Sequence, residues 1–150
     1  MHIHYLMVNK NHTGLRIEVA ENFSKKLIGW MNRKPVVDEG LMLFSCNSIH
    51  TFFMRFNIDV VFLNARNQVV KILPCFTPWK VIPPVLRAIN VLELPAGKAQ
   101  EHSIAVGDTL TLTPLTKQAH ASLSPHEEAE MRSAFSGTGY AQGPSAPSAD

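Results

Sequence analysis

The sequence predicts a mainly β fold of the α+β class, and three observations carry that prediction. The stretch CNSIHTFFMRFNIDVVFL, residues 46–63, is dominated by β-branched and aromatic residues, the types that fit a pleated, half-buried surface. Strand-like runs then recur at short intervals with turn chemistry between them, as in an antiparallel meander. Four prolines, Pro74, Pro78, Pro83 and Pro84, crowd residues 74–88, where a missing amide suits a loop or a sheet edge rather than a helix.

Taken in order, residues 1–14 read as an N-terminal extension. They lack a charged segment leading into an apolar core, so no secretory leader is expected, and the protein reads as soluble and cytoplasmic. Leu15-Arg16-Ile17-Glu18-Val19-Ala20 alternates apolar and polar, which is a half-exposed strand. Asn22 can cap a helix in which Phe23, Leu27, Ile28 and Met31 share one face; it is expected to run to about Asn32, and Pro35 stops it. Residues 41–44 form a short buried strand, and residues 46–63 fold as a hairpin broken at Arg55-Phe56-Asn57. In its second arm Ile58, Val60 and Phe62 share a face, which leaves Asp59, Val61 and Leu63 on the other.

After the turn Asn64–Asn67 comes a strand over 68–73, then the proline-rich loop with Trp79 as its anchor. A loop of that length is unusual unless it has a task. Residues 89–94 give another strand, 98–103 a short helical turn, and 109–113 the last strand. The domain is therefore placed at 15–113. Residues 114–150 form a largely disordered tail, with a short helix at 125–135 started by the capping box Ser124-Pro125-His126-Glu127. Charge changes at the same place: 12 basic and 8 acidic residues precede Pro114, 2 basic and 4 acidic follow it.

Composition excludes several classes. At 150 residues and 45% hydrophobic, the chain is long enough to bury a core without staples. A net charge of +2 with scattered Lys and Arg does not suggest a nucleic-acid-binding face. No apolar run reaches the ~20 residues of a membrane span. Two cysteines, Cys46 and Cys75, make no CxxC; they could pair once or stay as reduced thiols. There is no P-loop, GxSxG or HExxH.

Cys46, His50 and Met54 are types that suit a soft metal, but on a strand the outer two stand roughly 26 Å apart. No metal or cofactor is expected. The candidate ligand-binding residues are His50, Thr51, Met54, Asp59, Trp79 and Glu93, and none is assigned a catalytic role. Asp59 lies between Ile58 and Val60 and must find a donor, in a ligand or in backbone amides. Glu93 raises the same question within Val91-Leu92-Glu93-Leu94, sharing a face with Val91. If their strands are neighbours, the two acids could form a pair with one pKa raised; alternatively Arg55 or Arg87 engages one of them. Trp30, Phe53 and Trp79 could line a groove or fill a core.

The segments Gly40–Phe44, Ser48–Met54, Ile58–Phe62, Leu92–Gly97 and Val106–Asp108, in that order, resemble the domain of unknown function 192 family over residues 15–113. The resemblance implies a compact, barrel-like antiparallel domain with one N-terminal helix and a short second helix. It implies no reaction, and its members are often exported. The expected function is binding of a small polar ligand, sugar-like or peptide, in a pocket around His50, Asp59 and Glu93. Two alternatives stand beside it: a hydrolase using Asp59 and Glu93 as acid and base, and a protein-interaction module acting through its tail.

Overall fold

In the computed structural model the described residues are 3–20, 30, 34 and 36–115. Apart from Trp30, the helix expected at 23–32 lies outside them, as does the tail beyond residue 115 with its helix at 125–135.

Seven strands form one mixed sheet: β1 (Ile3–Val8), β2 (Asn11–Val19), β3 (Glu39–Phe44), β5 (Ile58–Leu63), β6 (Val69–Phe76), β8 (Asn90–Pro95) and β9 (Leu110–Pro114). Their order across the sheet is β6-β5-β8-β3-β2-β1-β9. Two short strands, β4 (Ile49–His50) and β7 (Val81–Ile82), pair with each other apart from it. The helix α1 (Lys98–Glu101) follows β8.

Residues 1–14 supply β1 and the start of β2 rather than a simple extension. Asn9 and Lys10 both adopt positive φ, 49° and 70°, and Val8 pairs with Asn11. This two-residue turn suits the twist of a hairpin, and asparagine tolerates the left-handed region better than most residues. The Asn9 side chain also ties the hairpin to the start of β9: its Nδ2 donates to Asp108 at 2.8 Å and its Oδ1 accepts from the Thr109 amide at 2.9 Å.

The sheet is not purely antiparallel, because β2 and β3 run parallel. Parallel neighbours need a crossover of about a dozen residues or more, and residues 20–38 supply that length. Nor does it close into a barrel. The edge strands β6 and β9 are joined at their starts by the isolated bridge Gln68–Thr109, with the Val69 amide donating to the Asp108 carbonyl at 2.8 Å. Among the described residues no ladder links them further along.

The hairpin expected over 46–63 does not form. β4 pairs with β7, while β5 pairs with β6 and β8. What intervenes is a turn at 51–57 in which Phe53 takes φ 61°, so the chain leaves β4 after two residues. The alternation read for the second arm does hold. Val61 and Leu63 lie in one buried cluster, Ile58, Val60 and Phe62 in the other. The first cluster draws on all seven strands and on Ala99 of α1; the second holds Trp30, Ile49 and Ile82. With both faces covered, every residue of β5 and β8 is buried.

β6 runs through Pro74 to Phe76, which an edge strand allows because its outward amide is not needed. Gly40 in β3 is required by contact. A Cβ there would meet Leu94 Cδ2 at 2.7 Å, Ile17 Cδ1 at 2.8 Å and the Glu93 carbonyl oxygen at 3.0 Å.

Candidate functional site

The six candidate residues do not surround one hollow. Asp59 stands opposite Leu94, and Glu93 opposite Val60. Side chains alternate along a strand, so the two carboxyls face opposite sides of the sheet. Asp59 is fully buried and accepts two amides, from Cys75 to Oδ1 and from Ala99 to Oδ2, each at 2.9 Å. It clamps β6 and the first turn of α1 onto β5. Glu93, flanked by Leu41 and Val60, has no hydrogen-bond partner among the described residues. Burial pushes its pKa up to about 8, so it is mainly protonated at neutral pH. Met54 is buried with Trp30 and Ile58 in the core on that side.

His50, Thr51 and Trp79 do come together, at a junction of two loops. Thr51 is fully buried and is its centre. Its hydroxyl donates to the Thr77 carbonyl at 2.9 Å and accepts from the Lys80 amide at 3.0 Å. Its own amide donates to the Lys80 carbonyl at 2.8 Å, and its carbonyl accepts from the Trp79 amide at 2.9 Å. The Val85 amide donates to the Asn47 carbonyl and the Cys46 amide to the Ile89 carbonyl, both at 2.8 Å. Residues 46–57 and 74–90 are thereby knitted together.

Above this knot stand aromatic side chains that the core does not use. Trp79 is 61% exposed and Phe53 58%. Their rings meet edge to face with centroids 4.9 Å apart. Phe52 lies 6.2 Å from Trp79 and stacks on His50 at 5.1 Å with an interplanar angle of 24°. Phe53 and Trp79 both hold left-handed backbone, φ 61° and 63°, which costs bulky residues of order 1–3 kcal/mol each. The knot around Thr51 offsets that cost and fixes where the rings project. Lys80 sets its ammonium 5.8 Å from the Phe76 ring.

Sequence reading missed Phe52 and treated Thr51 as a ligand contact rather than the hub. The available signal was Phe52-Phe53 followed by Met54-Arg55, where a half-buried strand would not place three large apolar residues in succession. Cys46 and Cys75 are not joined in a disulfide, and the Cys46 thiol donates to the Ser48 carbonyl at 3.0 Å. Among the described residues no group of three or more His, Cys, Asp or Glu could hold a metal ion, and no helix is long and apolar enough to cross a membrane.

Two concavities lie elsewhere. One of about 40 Å³ is bordered by Trp30, Glu18 and Leu41. A groove of about 380 Å³ is bordered by His12, His102 and Asp108. Some of its polar groups serve the turns: His12 Nδ1 accepts from the Gly14 amide at 3.1 Å, and Asp108 accepts from Asn9 and from the Ala105 amide, each at 2.8 Å.

This geometry describes a small mainly β unit with an exposed aromatic surface, in which Asp59 and Glu93 do not meet as a pair. The profile of DUF192, described as Uncharacterized ACR, matches residues 6–112, and the chain belongs to that family. A UPF0127 protein of Pyrococcus furiosus is 38% identical over 105 residues, covering 64% of this chain and 87% of the relative. One from Pyrococcus abyssi is 35% identical over 98 residues, covering 62% and 82%. A crystal structure of a protein of unknown function from Novosphingobium aromaticivorans shares the fold, with a TM-score of 0.64 and 22% identity over 73% of this chain and 84% of that one.

Proposed function

We propose that the protein is a binding module for a small polar, sugar-like ligand, and that His50, Phe52, Phe53 and Trp79 form the contact surface with Thr51 beneath it. The observation that carries this reading is a pair of exposed rings, Phe53 and Trp79, held on left-handed backbone by a fully buried threonine. Strain kept in place at a surface, with apolar rings turned to water, indicates use rather than packing. A sugar presents C–H faces to such rings and hydroxyls to the His50 and Lys80 side chains at the rim. The platform is shallow, so it suits one or two rings of an oligomer better than an engulfed small molecule.

Asp59 and Glu93 drop out of the contact set, and the hydrolase reading goes with them, because the two acids lie on opposite faces of the sheet. Trp79 provides the test, since Trp30, the other tryptophan, is buried. Acrylamide quenching of tryptophan emission should fall when a binding oligosaccharide is added to the full chain. Phe53→Ala, which leaves the Trp79 reporter in place, should weaken that protection. If no oligosaccharide shields Trp79, the reading fails.

A further inference from the structure

We infer that the saccharide recognised by this platform is anionic, carrying carboxylate or sulfate groups; this rests on the binding reading above and narrows its ligand class. The two loops that build the platform, residues 46–57 and 74–90, contain Arg55, Lys80 and Arg87 and not one Asp or Glu. The rest of the chain holds eleven basic residues against twelve acidic ones, so the positive excess of the whole protein lies in these loops.

Hydrogen bonds from Thr51 to Lys80 and from Val85 to Asn47 tie the two loops together, so the three cations and the exposed rings belong to one linked pair of loops. Arg55, Lys80 and Arg87 have no ion-pair partner among the described residues, whereas Arg16 is paired with Glu39 at 3.1 Å and Lys98 with Asp38 at 3.1 Å. Cations and exposed rings carried on one linked pair of loops offer two kinds of contact. The rings take the C–H face of a sugar, and a guanidinium or ammonium takes its acid group, bidentately in the case of arginine. A neutral sugar would leave both arginines without an ionic partner. A purely ionic ligand would leave Phe53 and Trp79 unused.

The test titrates the full chain with tetragalacturonate and, in parallel, with maltotetraose of the same length, following the heat of binding by calorimetry. Salt is raised from about 0.01 M to about 1 M, over which the screening length falls from about 30 Å to about 3 Å. The acidic oligomer should bind at least about ten-fold more tightly at low salt, and that advantage should vanish at high salt. Arg55→Gln with Arg87→Gln should remove the advantage without lowering the melting temperature, and Trp79→Ala should remove binding of both oligomers.

Equal, salt-insensitive affinity for the two oligomers would overturn the anionic inference and leave the platform reading intact. Binding of neither would overturn the platform reading itself. Acidic binding that survives Trp79→Ala would mean charge alone is at work and would also overturn the inference. So would tighter capture by single-stranded nucleic acid or by vesicles of anionic lipid.

Discussion

Glu93 and Asp59 occupy adjacent strands one residue out of step, so that a single sheet carries one acid to each side: Glu93 faces Val60's side and Asp59 faces Leu94's. Their environments differ as sharply as their directions. Asp59 accepts two backbone amides, whereas Glu93 has neither an amide nor a cation among the described residues. Four predictions follow from this sheet and the knot beside it.

Glu93 should give the fold a pH dependence. Its carboxyl keeps its proton in the folded state up to about 8, while the unfolded chain releases it near the ordinary carboxylate value of 4.5. The unfolded state therefore binds fewer protons between those limits. Stability is fully present below about 4.5, falls by at most ~1.4 kcal/mol per pH unit as pH rises, and levels off above about 8. Urea melts of Glu93→Gln should show a flatter profile over this window and greater stability than wild type at pH 8.

Asp59→Ala should destabilise the fold by about 3 kcal/mol, because it strips the Cys75 and Ala99 amides of their carboxyl acceptor in a buried place. Saccharide binding by the fraction still folded should be unchanged. A loss of affinity with unchanged melting would return Asp59 to the ligand surface.

Gly40→Ala should cost about 1–3 kcal/mol by overpacking. The added methyl has two side-chain neighbours that can shift and one backbone oxygen, that of Glu93, which moves only with β8. Chemical denaturation measures the loss.

Thr51→Val keeps the shape and deletes the hydroxyl that joins Thr77 to Lys80. It should cost about 1–3 kcal/mol, the penalty for leaving buried polar groups unpaired. Its local effect is the more telling one. Trp79 should lose its fixed orientation, seen as lower emission anisotropy, and oligosaccharide affinity should fall several-fold.

Much of the sheet was legible because its signals are local. The two-residue alternation in Ile58–Leu63 fixed which side chains share a face, and Pro95-Ala96-Gly97 marked where β8 gives way to α1. β1 was hidden because its hairpin turns on Asn9-Lys10 without a glycine. The parallel partnership of β2 and β3 depends on elements distant in sequence, and no local periodicity encodes it.

The site was legible only in part, and for a related reason. His50, Thr51 and Trp79 could be singled out by type. That Thr51 binds backbone rather than ligand depends on Lys80 and Thr77 arriving from nearly thirty residues away. The opposite facing of Asp59 and Glu93 follows from a one-residue offset in register, which composition cannot reveal.

The bridge at Gln68–Thr109 and the character of the two outer strands bear on what happens in concentrated solution. An outer strand with free amides invites another chain to add on and can seed fibres. Here β6 is interrupted by Pro74 and by Cys75 at φ 49°, β9 ends at Pro114, and their starting ends are occupied by each other. The fold thus offers an incoming strand little straight template, and these short irregularities guard it against runaway self-association.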